Sequence, residues 1–494
     1  MRSENNSYKQ IVKATSIFGG VQFFQIVVQI IQTKLIVILI GPIGIGIYDL
    51  LNSTIQLVNS FTNFSLRTSA VKTISQPDSN VGQVIFVLKR IVWGTGILGI
   101  LVMIIFSDIL SLWSFGSTDY RLSIIWISIT LLITQISTAQ IAILQAFRKY
   151  KMIAQSALSG SIIGLFISIP IYFYFKIDGV VPVIILSSIS SMLRSWYYVK
   201  KLSIIEFKPT RQEFFVHFKE IISLGIVLSL SGILVNISNY GIRLYISDIG
   251  GLESVGLYAS GYFLITKYVN LIFQAMGADF LPRLSASIKC TDLYNKIVND
   301  QIEISMLLIF PLICFFIVFS DIIIVLLYSD QFLPIVSMVN FGMASMLVKA
   351  ISWSIVFILV AKGETKVFSI NEFFTIIHMF LFSLIGFKYF RFVGVGFSMI
   401  IGYSLYFIQV YIITKKMYGF KLNHTILKLL TIQFTIVSIL LVISSLIVSN
   451  IKFLFCTIIL IYSLYFTFRE LNRRIDLKKI PKKLKILINK KSKQ

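Results

Sequence analysis

The chain has 494 residues, of which 56% are hydrophobic and only 13% charged, and its mean hydropathy is +0.86. A soluble globular chain carries about 25% charged residues, so this one lacks the charge to cover a water-facing surface, and its plentiful Leu, Ile, Val and Phe exclude a disordered chain. The formal charge of +24 would point to nucleic acid in a soluble protein; here the Lys and Arg sit between apolar runs, where they orient segments in a membrane and argue against a nucleic-acid partner.

The N-terminus has no small-residue cleavage site behind its first apolar stretch, which therefore reads as a retained first helix. A helix needs ~20 apolar residues to cross the hydrocarbon, because its backbone groups must all pair internally. Segments meeting this requirement are 14–40, 45–66, 86–108, 122–145, 152–175, 178–198, 220–242, 255–278, 303–327, 332–358, 367–387, 392–414, 429–449 and 452–468. The last two read as a tight hairpin, since one helix of that length would overshoot the bilayer. The predicted fold class is all-α and polytopic, with about fourteen transmembrane helices by that length criterion.

Charge placement tests the count independently. With the N-terminus in the cytoplasm and sides alternating, 36 of the 45 Lys and Arg fall in cytoplasmic stretches, six on the other side and three, Lys34, Lys267 and Lys349, within spans. A miscounted helix would invert the bias beyond it, and no inversion appears, so both termini are expected in the cytoplasm. The basic tail, 471–494, reads as a solvated anchor on that side, with binding to anionic lipid head groups as the alternative. Cys290, Cys314 and Cys456 lie far apart and indicate neither a disulfide scaffold nor a zinc site.

Gly46-Ile47-Tyr48 and Gly256-Leu257-Tyr258 coincide at a spacing of 210 residues, entering the second and eighth spans. An internal duplication is expected, dividing the chain into an N-terminal helical lobe (1–210), a second lobe (211–423), a terminal hairpin (424–470) and the basic tail (471–494). Transporters commonly consist of two such bundles around a central site.

Polar groups inside a bilayer are costly and mark interior cavities. Gln22, Gln25, Gln29 and Gln32 follow a three–four–three spacing that puts them on one helix face, and Asn52, Gln56, Asn59 and Asn63 do the same on the next span. Interhelical hydrogen bonding is one reading; a wall of a hydrophilic passage is the other, favoured because glue rarely needs so many turns. Asn236, Asn239 and Asn270 add amides on later spans. Lys267 and Lys349 lie deep, Arg243 ends the seventh span, and Arg67 and Arg283 stand just beyond the second and eighth. The acids at comparable depth, Asp49, Asp279, Glu303 and Glu372, are fewer and nearer helix ends. That imbalance points to an anionic substrate and away from a cation or drug pump. No phosphate-loop motif is present, because GPIGIGIYDL lacks the Lys-Ser/Thr of a nucleotide site.

The opening KATSIFGGVQFFQIVVQIIQTKLIVILIGPIGIGIYDLLNSTIQLVNSF and the later VGLYASGY resemble the bacterial Wzx-like O-antigen and polysaccharide flippases of the multidrug/oligosaccharidyl-lipid/polysaccharide exporter superfamily. The resemblance runs through length, span count and twofold arrangement, although some enteric members have twelve spans. It implies a MATE-like fold of two pseudo-symmetric lobes in a V, in the bacterial inner membrane. It also implies a protein that is not an enzyme, needs no cofactor, and works as a monomer, beside a polymerase or other glycan-assembly proteins. The implied activity carries a polyprenyl-pyrophosphate-linked oligosaccharide from the cytoplasmic to the periplasmic leaflet. A lipid II-type cell-wall precursor flippase and a cation-coupled multidrug antiporter of the same superfamily are the alternatives. Under the main reading, Arg67, Arg243, Lys267, Arg283 and Lys349 would meet the pyrophosphate and the Gln and Asn stripes would solvate the glycan.

Overall fold

The computed structural model describes residues 2–76, 80–205, 207–446 and 450–474, and among these all regular structure is helical. The helices are α1 (Arg2–Thr62), α2 (Leu66–Ile74), α3 (Val81–Ile105), α4 (Ser107–Phe115), α5 (Arg121–Ile127), α6 (Ile129–Ala146), α7 (Tyr150–Phe175) and α8 (Val180–Lys200). There follow α9 (Arg211–Ser287), α10 (Thr291–Leu327), α11 (Val336–Lys362), α12 (Thr365–Tyr418), α13 (His424–Leu446) and α14 (Asn450–Arg474). All fourteen expected spans fall on helical segments. Eight described stretches are long and apolar enough to cross a bilayer; two of them, Tyr150–Lys200 and Thr365–Tyr418, each hold two of the expected spans, and Val27–Thr62 holds most of the second and part of the first. The turn between α13 and α14, at 447–449, and the tail beyond 474 lie outside the described residues, but α13 packs on α14 as a hairpin requires.

Long helices here break at backbone positions that no regular helix adopts. α1 breaks at Gly41 (φ 64, ψ −169), directly before Pro42, and α9 breaks at Gly251 (φ 72, ψ 177). Only glycine takes this conformation without steric cost, and proline is suited to restart a helix because its missing N–H would be unpaired there anyway. The two breaks are 210 residues apart, the separation of the Gly-x-Tyr match in the sequence. Two further pairs recur at 215 residues: Lys176 (φ 47, ψ −123) with Arg391 (φ 50, ψ −133), and Arg148 (φ 54) with Gly363 (φ 76). The same bends in the same order, with five residues inserted between, are what a duplicated bundle leaves behind.

The chain divides into two compact units, Met1–Ala259 with Leu327–Gln331, and Ser260–Leu326 with Phe332–Gln494. The first unit thus includes 211–259, the opening of the segment assigned by repeat to the second lobe. Lobe boundaries at 210 and 423 concern the duplication and stand as a proposal about it.

Within the first unit, α6 packs against α3 and α8, and α7 packs against α8 and α1. Gly160 and Gly164 of α7 face Ser191 and Ser187 of α8, and small residues at this spacing let helix backbones approach where lipid offers no hydrophobic drive for association. These helices bury small and polar residues along with their apolar ones. α3 buries Gly96, Gly99 and Thr95 while exposing Trp93, Leu98 and Leu101, and α6 buries Thr130, Gln135, Ser137 and Gln140. In the second unit, α11 packs on α12 and α13. The stretch that holds α11 is the most enclosed of the candidate spans, which places Lys349, near its middle, inside protein.

Candidate functional site

In the first unit the duplicated motif builds a cation site. Arg243 of α9 donates from Nε to Asp49 Oδ2 at 2.5 Å and from Nη2 to Asp49 Oδ1 at 3.4 Å, and from Nη1 to the Asn239 carbonyl at 3.0 Å. Its guanidinium carbon lies 5.7 Å from the centroid of the Tyr258 ring, within cation–π range. Asp49 follows Tyr48 in one copy of the motif, and Tyr258 is the counterpart of Tyr48 in the other. Arg243 therefore stands between the two repeats with its charge neutralised. Asp49, about two turns beyond the Gly41 break and so near a helix start as expected, accepts this fork.

The polar stripes of α1 divide by role. Asn59 accepts a 3.1 Å hydrogen bond from Gln135 Nε2 of α6, an interhelical tie. Asn63 Oδ1 accepts from the Leu66 backbone N–H at 3.3 Å, at the start of α2, and Asn52 donates to the Tyr48 carbonyl of its own helix at 2.8 Å. Gln56 is exposed, Gln32 is half-buried, and Gln29 has a buried side-chain oxygen without a hydrogen-bond partner. The side chains of Gln22 and Gln25 lie outside the described residues. Asn236 and Asn239 are half-buried on α9. Lys34 donates to the Tyr328 carbonyl. Asn59, Asn63 and Asn52 thus tie backbone and helices together, and among the described residues no hydrogen bond ties Gln56 or Gln32 to another helix.

Arg67, on the short helix α2, is exposed and donates from Nε to Gln145 Oε1 at 3.1 Å. Arg283 is exposed on α9, donates to Gln301 Oε1 at 3.1 Å and lies 3.8 Å from Asp279 one turn earlier. An exposed pair of that kind is worth ~0.3–0.5 kcal/mol, so Arg283 remains available to an anion.

The second unit holds the deep lysines. Lys349, near the middle of α11, donates to Asn270 Oδ1 at 3.3 Å and rests 5.3 Å from the Tyr403 ring centroid and 5.7 Å from that of Phe273. Among the described residues no carboxylate lies within ion-pair distance of its ammonium. Lys267 is half-buried, with its ammonium 5.7 Å from the Phe263 ring centroid. Aromatic faces, and for Lys349 an amide oxygen, surround these amines, and among the described residues no carboxylate is paired with them.

One turn along α12 from Tyr403, Tyr406 donates at 2.7 Å to Glu372 Oε1, which also accepts from Asn371 Nδ2 at 3.5 Å. Glu372 is half-buried. A tyrosine pair at i and i+3 thus presents one ring to Lys349 and one hydroxyl to a carboxylate. Sequence reasoning placed Glu372 at a helix end and passed over Tyr403, Tyr406 and Gln135. For Gln135 the signal was present, as an amide inside a charge-free span; for the tyrosines it was not, because twenty-two tyrosines are spread through the chain.

The comparisons agree with this architecture. A family model for a polysaccharide biosynthesis protein matches residues 35–337. A Shigella flexneri relative whose name assigns it to O-antigen transport is 23% identical over 304 residues, covering 59% of this chain and 71% of its own length. Among solved structures, the lipid II flippase MurJ in an inward closed conformation superposes with a TM-score of 0.69 at 14% identity, covering 93% of this chain and 99% of MurJ. An inward-facing MATE family multidrug transporter superposes with a TM-score of 0.66 at 14% identity, covering 81% and 94% of the two chains. These likenesses establish the all-α MATE-like fold, and the model spanning 35–337 covers most of the chain, which therefore belongs to the polysaccharide biosynthesis protein family.

Proposed function

We propose that this chain carries a polyprenyl-pyrophosphate-linked oligosaccharide from the cytoplasmic to the periplasmic leaflet of the inner membrane by alternating access, with both termini in the cytoplasm. The observation that carries the reading is Lys349, enclosed in α11 and held by Asn270, Phe273 and Tyr403 with no carboxylate at ion-pair distance among the described residues. A lysine at that depth with no carboxylate beside it favours an anion, and a pyrophosphate is the anionic part of such a substrate. Lys267 and the exposed Arg67 and Arg283 extend the same preference toward the side that the Lys/Arg bias assigns to the cytoplasm. Arg243, neutralised by Asp49, serves better as a strut than as an anion ligand. The glycan is solvated by side chains such as Gln32 and Gln56, and no bond is made or broken. The family and the O-antigen transport named for the Shigella flexneri relative support this substrate class.

Glu372 favours a second reading, in which a cation couples to the cycle, since a half-buried carboxylate hydrogen-bonded by Tyr406 is a group that a cation can occupy or leave. This reading supplies the energy source for the first and, taken alone, describes the drug antiporter of the same superfamily.

Expression of Lys349→Gln and, separately, Lys267→Ala in a strain deprived of its own flippase tests the proposal. Lipid-linked repeat units should accumulate in the cytoplasmic leaflet while membrane insertion stays normal. Wild-type surface glycan from Lys349→Gln would remove the anion site and the reading with it.

A further inference from the structure

A second kind of site lies in the first unit, where α5, α8 and the arm of α1 beyond Gly41 meet. They border a cavity of about 780 Å³, a size within the range of pockets that hold a small ligand, roughly 300–1,000 Å³. Its floor is apolar: Ile47 and Leu51 of α1 and Val180 of α8 are at most 3% exposed. Its mouth carries two carboxylates and a phenol, Asp119 and Tyr120 just before α5 and Asp178 in the turn Lys176–Gly179 before α8.

Both walls run from a carboxylate at a helix start to apolar side chains deeper in. Asp119, Leu122, Ser123 and Trp126 form one wall; Asp178, Val181, Pro182 and Ile185 form the other at the same spacing, so each set shares one side of its helix. Both helix starts stand on the face of the membrane that the Lys/Arg bias leaves opposite the cytoplasm. Leu122 and Trp126 are 67% and 65% exposed, as side chains turned toward acyl chains are. Both carboxylates act on the Tyr120 phenol, whose pKa is raised first by burial and then by Asp119 and Asp178. The Tyr120 ring is fixed by stacking on Phe115, with centroids 3.9 Å apart. Asp119 accepts a hydrogen bond from Ser117 Oγ at 3.0 Å, and the neighbouring Arg121 pairs with Asp108 at 3.2 Å. Among the described residues neither Asp119 nor Asp178 has a basic side chain within ion-pair distance.

An apolar shaft that opens at the membrane surface between two carboxylates and a fixed phenol ring suits an amphiphile with a cationic head. We propose that the cavity binds a single aminophospholipid, its primary ammonium between Asp119 and Asp178 and an acyl chain along Ile47, Leu51 and Val180. An ammonium brings three N–H donors to the carboxylates and a positive charge to the Tyr120 ring. Hydrogen bonds between charged partners are about twice as strong as neutral ones. A choline head has the same charge and no N–H to donate, and a glycerol head leaves the two carboxylates repelling each other and the lipid phosphate. The phosphate lies on the water side, where Lys176, two residues before Asp178, supplies the opposite charge. The site rests on the membrane fold alone, so it stands or falls independently of the proposed substrate.

The test uses the full chain, stripped of lipid in detergent and reconstituted into nanodiscs of equimolar phosphatidylethanolamine, phosphatidylcholine and phosphatidylglycerol. After re-extraction, native mass spectrometry reads the bound lipid. The wild type should retain one phosphatidylethanolamine in preference to either of the others. Asp119→Asn with Asp178→Asn should lower that retention on the order of tenfold or more. Asp248→Asn with Glu253→Gln, exposed acids of the same unit that do not line the cavity, should leave it unchanged. Ser123→Trp, which fills the cavity and keeps both carboxylates, should also displace the lipid, and it guards against an aspartate variant that fails to fold. Equal retention of phosphatidylethanolamine and phosphatidylcholine by the wild type would overturn the proposal, as would undiminished phosphatidylethanolamine on the folded aspartate or filling variant. An equal loss on the Asp248 and Glu253 variant would overturn it too, by tracing the preference to overall charge.

Discussion

Gly46 and Gly256, 210 residues apart, pack backbone to backbone and do so reciprocally. A β-carbon on Gly46 would lie 2.0 Å from the Leu252 carbonyl oxygen, and one on Gly256 would lie 2.0 Å from that of Pro42. Leu252 and Pro42 are themselves 210 residues apart, so each repeat offers the same glycine to the same carbonyl of the other. The motif that marks the duplication in the sequence is also the place where its two copies touch.

Because the obstructing atoms are backbone, neither helix can yield by rotating a side chain. Gly46→Ala and Gly256→Ala should each cost about 1–3 kcal/mol or more by overpacking. A thermal unfolding scan in detergent should show a midpoint several degrees lower for either variant. Gly94→Ala is the control, since a β-carbon there meets nothing within 4 Å. An unchanged midpoint for Gly46→Ala would refute the close approach.

The Asp49–Arg243 pair is partly buried, with side chains 21% and 13% exposed. Removing one partner leaves a charge in a poorly solvated place, and the expected cost is about 2–4 kcal/mol, near the lower end for buried pairs. Asp49→Asn and Arg243→Gln should each destabilise the protein, and the double variant should recover much of the loss. A double-mutant cycle on unfolding midpoints measures the coupling. Strict additivity would show that the pair contributes no specific interaction.

Tyr406→Phe removes the hydroxyl that donates to Glu372 and preserves the ring. The expected loss is about 1–3 kcal/mol of stability, since a hydrogen bond to a carboxyl group with few other partners is being removed. If Glu372 also exchanges a cation during transport, Glu372→Gln should fold normally and abolish the dependence of flipping on an imposed ion gradient in proteoliposomes. Retained gradient dependence would confine Glu372 to a structural role.

At the start of α9, Thr210 and Glu213 form a reciprocal cap. Glu213 Oε2 accepts from the Thr210 N–H at 2.7 Å and from its hydroxyl at 2.8 Å, and the Glu213 N–H donates to Thr210 Oγ1 at 3.4 Å. The Thr210 backbone N–H is the main reason that the Glu213 carboxyl is held below the usual carboxylate range. A carboxyl whose pKa is lowered by folding contributes its stabilisation above the ordinary Glu value, and loses it as pH falls through the lowered one. Hydrogen-exchange protection of the first turn of α9, corrected for intrinsic rates, should therefore be full at neutral pH and fall only below the ordinary Glu range. Glu213→Gln should abolish that pH dependence.

Much of this protein was legible before any coordinate. Each expected span is helical because a backbone in hydrocarbon has no partner but itself, and the apolar lengths report that directly. The duplication was visible only as Gly-x-Tyr at a fixed separation; the matching breaks at Gly41 and Gly251 give it a physical basis. The candidate site was legible in part. Residue type and depth identified Lys349 and Lys267 as unusual, since a cation inside a span is expensive wherever it points. Asp49 was read near a helix end, and it does lie about two turns beyond the Gly41 break; its partner Arg243, on a helix far along the chain, was not legible.

What the sequence determined alone was the solvent, the number of crossings and the excess of buried cations over buried acids, all of which follow from composition along the chain. What tertiary structure decided was which of the basic side chains meet a carboxylate. Arg243 meets Asp49 across 194 residues, while Lys349 meets an amide and two aromatic rings. Spacing along one helix fixes which residues share a face, but the identity of the facing helix is a property of packing, and electrostatic pairing falls off over a few ångströms.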